Sequence, residues 1–190
     1  MVQPVRQRFD FPDYVRVEQD SSIKHEFLGG HVWAMAGGSP EHSRIATNIA
    51  RALGNQLEGR PCTVFNSDLR IRVKASGLAT YPDVTVVCGP LELDPEDQTH
   101  HTVTNPKLLV EVLSPSTADY DRGEKLDHYK QVDSLETIVL IAHDEQRADV
   151  WHRSGPTWVH AIVTAHGTLE LDAVGARLAL DDAYRDPLAS

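Results

Sequence analysis

One residue limits what this chain can become. Glu111 stands in the middle of the run Leu108-Leu109-Val110-Glu111-Val112-Leu113, and an apolar segment of that length predicts a strand covered on both faces. An unpaired carboxylate there is expensive. Glu111 must therefore meet a cation, a metal or a proton, and which of these it meets decides what the protein does. Downstream, the charged segment opening near Thr117 predicts a helix, with Tyr120, Leu126, Tyr129 and Val132 able to cover an apolar face. Asp121, Lys125 and Tyr129 stand four apart on a neighbouring line, a spacing that often reflects only ion pairing on a helix surface.

The 190 residues are 41% apolar, enough for one well-buried core. A single domain over 1–190 is expected, with 1–22 an N-terminal arm carrying a short helix near 12–18. The net charge of -10 disfavours loose, sequence-independent attachment to nucleic acid, which depends on Lys and Arg neutralising phosphates. Any nucleic-acid role then needs a local basic surface or a metal. Cys62 and Cys88, beside Val64, Phe65, Val86 and Val87, read as ordinary buried thiols, which fits a reducing cytoplasm. The opening stretch lacks the apolar core of a signal peptide, and no later run has the length to cross a bilayer. A soluble cytoplasmic protein without membrane association is the expectation.

In chain order, 24–36 reads as a strand pair turning at Gly29-Gly30, which puts Glu26 on a strand. The clearest helix follows: Ser39 is a candidate N-cap, Pro40 lies in the first turn, and Ile45, Ile49, Leu53 and Leu57 recur at helical spacing. His42 is on that stripe, facing the interior or a site at the helix start; a structural histidine is the default. Strands are expected at 62–65 and 68–73, the second with Arg70, Arg72 and Lys74 on one face. With Arg44 and Arg51 these form either a phosphate-contacting surface or a solvated face that balances nearby acids. After a loop at 75–80, residues 81–88 predict a strand entered through Pro82, with Asp83 near its start. Residues 89–106 predict a long surface loop, either a lid or a mobile excursion; the pair His100-His101 alone is weak support for a metal. Beyond the central strand, segments at 136–142, 148–152 and 157–163 predict strands. Weaker ones at 168–171 and 176–180 extend the sheet, and 180–184 makes a last helical turn. Trp33, Trp151 and Trp158 read as packing residues. The fold class is α/β, a mixed β-sheet flanked by helices.

If the strands bearing Asp83 and Glu111 are neighbours, two carboxylates meet at one end of a sheet and need a cation. Oxygen donors of this kind suit Mg²⁺ or Mn²⁺. The chain has no P-loop, dinucleotide-binding glycine pattern, HExxH or CxxC, and Ser114 lacks the nucleophile elbow of a hydrolase triad.

The order Glu26, the helix carrying His42, Tyr81-Pro82-Asp83-Val84, then Leu109 through Thr117 with Asp121, Lys125 and Tyr129 resembles the Uma family. Those bacterial proteins are classed with the PD-(D/E)XK, or restriction-endonuclease-like, superfamily, and the resemblance covers roughly 15–185. It implies a restriction-endonuclease-like core and metal-dependent hydrolysis of phosphodiester bonds in nucleic acid, DNA foremost. It further implies Asp83 and Glu111 as ligands of Mg²⁺ or Mn²⁺, with the Val112 carbonyl completing the protein's share. The superfamily lysine expected two residues beyond Glu111 is Leu113 here, and the resemblance points to Lys125 as its substitute. Glu26 matches an early acid that would bind a water on the metal or a second ion. A homodimer would fit cutting of two strands by one-metal sites. The alternative is a catalytically inactive binding or regulatory module on the nuclease fold.

Overall fold

The structure, a computed structural model, describes residues 8–188. Helix α1, Phe11–Asp20, is opened by Asp10 and Asp13, whose side chains accept each other's backbone N–H. It is longer than the helix expected near 12–18, and residues 1–7 of the expected arm lie outside the described residues. Strands β1, His25–Leu28, and β2, His31–Ala34, form the expected hairpin, with Gly29 and Gly30 both at positive φ. Helix α2, Pro40–Leu57, is capped by Ser39, whose hydroxyl accepts the His42 N–H at 3.1 Å. Next come β3, Cys62–Asn66; β4, Arg70–Arg72; β5, Ala79–Thr80; β6, Val84–Cys88; β7, Thr102–Val103; and β8, Leu108–Leu113. Helix α3, Ala118–Tyr120, runs through a π-turn at Asp121–Lys125 into α4, Leu126–Tyr129. Strands β9, Thr137–Ala142, β10, Arg147–Ser154, and β11, Thr157–Thr164, precede a C-terminal unit of β12, Thr168–Leu171, β13, Ala176–Ala179, and α5, Leu180–Ala183.

Six strands make the main sheet in the order β11-β10-β9-β8-β6-β3, mixed because β8 and β9 run parallel while the other neighbours are antiparallel. A second sheet has the order β2-β1-β5-β4-β7. The fold is the expected α/β class. Strands β12 and β13 pair with each other as a separate ribbon against α2 rather than extending the main sheet. Among the described residues no helix is long and apolar enough to cross a membrane.

Strand β8 is buried along its whole length. Leu108, Val110 and Val112 face Ile45, Ile49 and Leu53 of α2, while Leu109 and Leu113 face Leu126 and Tyr129 of α4. Ile49 is 0% exposed, so Ile49→Ala is expected to lower unfolding free energy by about 2–5 kcal/mol, read from urea titration.

Four expectations need correction. Strand β6 starts at Val84, not at Tyr81. Pro82 has no N–H to donate, and the Asp83 carboxylate instead accepts the Val112 N–H at 2.8 Å. Residues 89–106 are not a free loop, and residues 79–80 form a strand in place of loop. β7 pairs with β4, Leu93 bridges Val103, and Asp94 and Asp97 are buried. Finally, Cys62 and Cys88 are not thiols: the β3–β6 register sets them directly opposite each other and they are joined as a disulfide.

The supposed basic face is consumed by that same segment. Arg70, 3% exposed, donates to Asp97 at 2.8 Å, Thr102 at 2.6 Å and Tyr81 at 3.2 Å. Arg72 reaches Asp94 and Glu96. Burial pushes the Asp97 carboxyl up, but hydrogen bonds from Thr102, Thr99 and Arg70 outweigh it and hold the group well below the ordinary carboxylate range. Its folded pKa is depressed, so its stabilisation is complete above the unfolded value near 3.8 and is lost as pH falls through the folded value. Asp97→Ala is expected to cost about 3–5 kcal/mol at pH 7, by stranding Arg70. The deficit should shrink in urea titrations run below about pH 4.

Candidate active site

Register brings the two acids together. Strands β6 and β8 pair as Val84↔Val110, Thr85↔Leu109 and Val86↔Leu108. Continued by one residue, that antiparallel register sets Asp83 across from Glu111. Glu111 lies in the row of Leu109 and Leu113 and is 5% exposed.

Its compensation arrives from the following helix. Lys125 Nζ is 2.9 Å from Glu111 Oε1, 3.0 Å from Glu26 Oε1 and 3.4 Å from Asp121 Oδ1. The Tyr129 hydroxyl donates to Glu111 Oε1 as well. Asp121 and Lys125 are both buried, because the wider π-turn carries them inward from the surface line that α-helical spacing predicts. The ladder is therefore part of the site, not surface ion pairing. Leu113 is packed in the core, and Lys125 puts its ammonium on Glu111 from a different element.

Glu26 enters from β1. Its Oε1 accepts the Thr80 hydroxyl, and its Oε2 accepts Trp33 Nε1 at 3.2 Å. On the other side, His42 Nε2 is 3.1 Å from Asp83 Oδ2, and its ring also meets the Val112 carbonyl. A pocket of 310 Å³ is lined by Glu26, Trp33, His42, Asp83, Tyr120 and Lys125, among others.

The cluster is short of positive charge. Burial pushes the Glu111 carboxyl up to about 8 against the pull of Lys125, and Asp83 and Asp121 add to the rise. Burial alone would lower Lys125, but Glu111, Tyr129, Glu26 and Asp121 together hold it well above its ordinary value. The hydrogen bond to Asp83 raises His42 despite its partial burial. Asp83 Oδ1 and Glu111 Oε2 have no hydrogen-bond partner among the described residues. Two carboxylates with one open oxygen each, in a site lacking cationic charge, fit a hard divalent cation that fills its remaining positions with water and phosphate oxygens. Among the described residues no group of three or more His, Cys, Asp and Glu side chains is arranged to hold a metal ion, so the side chains that would do so here are the Asp83–Glu111 pair alone.

All four predicted residues, Glu26, Asp83, Glu111 and Lys125, thus converge. Arg70 and Arg72 do not, and Arg44 is held by Glu41 and backbone carbonyls near the C-terminus. The sequence set His42 toward the interior or a site at the start of α2, with a structural histidine as the default, and read Trp33 as a packing residue; both line the pocket. The Gly29-Gly30 turn already implied Trp33, since a hairpin centred there pairs Glu26 with Trp33, as found.

The chain is similar to several known proteins. The Uma2 family profile, described as "Putative restriction endonuclease", matches residues 11–181. The Synechocystis protein slr1290, uncharacterized, is 36% identical over 175 residues, 91% of this chain and 90% of its own. A second uncharacterized Synechocystis protein, sll1609, is 32% identical over 143 residues, 75% of this chain and 80% of its own. The crystal structure of a protein from Anabaena variabilis, titled "a putative nuclease belonging to DUF820", superposes with a TM-score of 0.70. It covers 86% of this chain and 91% of that one at 17% identity, a likeness of fold. The chain belongs to the Uma2 family and has its restriction-endonuclease-like fold.

Proposed function

We propose that the protein is a metal-dependent endonuclease that hydrolyses phosphodiester bonds of nucleic acid, DNA being the first substrate to try. The observation that carries this reading is the β6–β8 register, which sets Asp83 across from Glu111 with the Lys125 ammonium against Glu111. Asp83 and Glu111 would hold Mg²⁺ or Mn²⁺, with the Val112 carbonyl beside them. The cation supplies charge at a phosphoryl oxygen and lowers the pKa of a water.

The chain's own groups do the positioning. The Val112 N–H and His42 fix the Asp83 carboxylate, and Tyr129 and Lys125 fix that of Glu111. The Lys125 ammonium is ion-paired with Glu26, Glu111 and Asp121 at 3.0, 2.9 and 3.4 Å. Of the three, Asp121 is the most distant at 3.4 Å, so an approaching phosphate would weaken that pair first. Lys125 is then placed to stabilise the charge that develops on the phosphorane, or to orient the attacking water. Glu26 holds Lys125 at the site. Cutting both strands of a duplex would take a homodimer.

The test is cleavage of end-labelled single- and double-stranded oligonucleotides in Mg²⁺ or Mn²⁺ and again in EDTA. Cleavage that stops with EDTA is expected. Cleavage indifferent to EDTA would overturn the metal requirement, and binding without cleavage under any condition would leave a nuclease-fold binding module.

A further inference from the structure

The surroundings of the site point to how it holds its substrate, an inference that rests on the endonuclease reading. Proteins that grip duplex nucleic acid do so largely by neutralising phosphates, yet the cations near this groove are already engaged. Lys125 is shared among three carboxylates. Lys24 is 2.6 Å from Asp68, and Arg70 and Arg72, which do not line the groove, are held by Asp97, Asp94 and Glu96. The chain carries a net charge of -10. Beyond Asp83 the groove widens into a 720 Å³ hollow whose polar wall includes neutral Ser43, Thr47, Asn66 and Ser67.

Aromatic surface is present where cations are not. Trp33 and Tyr120 meet nearly at right angles, 84°, with ring centroids 6.4 Å apart. They line the pocket that holds Asp83 and Lys125, and also an adjoining 400 Å³ hollow with Leu28, His31 and Glu124. Trp151 and Trp158 pack against the hydrophobic core, whereas Trp33 and Tyr120 belong to none of the core clusters among the described residues. The Tyr120 hydroxyl is buried and has no hydrogen-bond partner there. Through Nε1, Trp33 touches Glu26, itself 3.0 Å from Lys125, so the aromatic corner lies one side chain from the charged centre.

We propose that the Trp33–Tyr120 corner is a nucleobase subsite, which stacks an unpaired base next to the scissile phosphate and selects single-stranded or locally unpaired nucleic acid. A base stacked on one ring meets the edge of the other. Stacking needs a free base face, which a paired duplex does not offer, and it does not require neutralising the backbone. Binding should therefore be tighter for unpaired strands, with a shallower salt dependence than a grip on many phosphates would give.

The test uses the full chain in EDTA, which suppresses cleavage, with fluorescence anisotropy of three labelled probes of equal length. These are a base-bearing single strand, as DNA and as RNA; the same backbone with abasic positions; and the duplex. The base-bearing strand is expected to bind at least about tenfold more tightly than the abasic one of equal charge. Trp33→Leu should erase that ratio, and Trp33→Phe, which keeps a ring, should retain most of it; thermal denaturation of each variant checks folding. Equal binding of base-bearing and abasic strands, or tightest binding to duplex with a steep salt dependence, would overturn the subsite. Cleavage measured separately in Mg²⁺ keeps the two readings apart. Base-dependent binding without cleavage supports the subsite while removing the nuclease, and cleavage without base dependence does the reverse.

Discussion

Asp83→Ala and Glu111→Ala should each reduce Mg²⁺-dependent cleavage by at least about 10²-fold, since each removes half of the carboxylate pair that would hold the cation. The two differ in their structural consequences. Asp83 sits beyond the end of β6, and its loss leaves only the Val112 N–H and His42 without their acceptor. Loss of Glu111 deprives Lys125 and Tyr129 of a buried partner, so that variant is also expected to be measurably less stable in urea. Full cleavage by either variant would remove the pair from the reaction.

Lys125→Met is expected to abolish turnover while metal binding persists, and to lower unfolding free energy by about 3–5 kcal/mol. The loss of stability follows from leaving Glu26, Glu111 and Asp121, each buried, without their shared cation. Urea titration and a nuclease assay read the two effects separately. A stable variant with normal turnover would remove Lys125 both from the reaction and from the support of its buried carboxylates. A destabilised variant with normal turnover would make it purely structural.

The elements that build the site were legible wherever local pattern decides structure. The apolar run around Glu111 predicted a fully buried strand, and the Ser39-Pro40 start with Ile45, Ile49 and Leu53 predicted α2, both found. The hairpin at Gly29-Gly30 gave Glu26 its place on β1. What stayed hidden depended on pairing or on an irregular turn. Nothing local tells Arg70 that Asp97 will fold over it, so the arginines of β4 read either as a phosphate surface or as a solvated face balancing acids; they do pair with acids, but under a covering segment rather than in solvent. Cys62 and Cys88 become neighbours only through the β3–β6 register. The π-turn leaves no trace in apolar periodicity, yet it buries Asp121 and Lys125. Asp83 and Glu111 were nameable as a pair only on the condition that their strands are neighbours, because 27 intervening residues do not fix a pairing; the β6–β8 register supplies that condition.

The most direct measurement is a calorimetric titration of the chain with Mn²⁺ at neutral pH, beside the Asp83→Ala/Glu111→Ala double variant. One Mn²⁺ bound per chain, with binding lost in the double variant, is the expected result. Unchanged binding in that variant, or no binding by the parent chain at millimolar Mn²⁺, would contradict the assignment of Asp83 and Glu111 as the metal-holding pair.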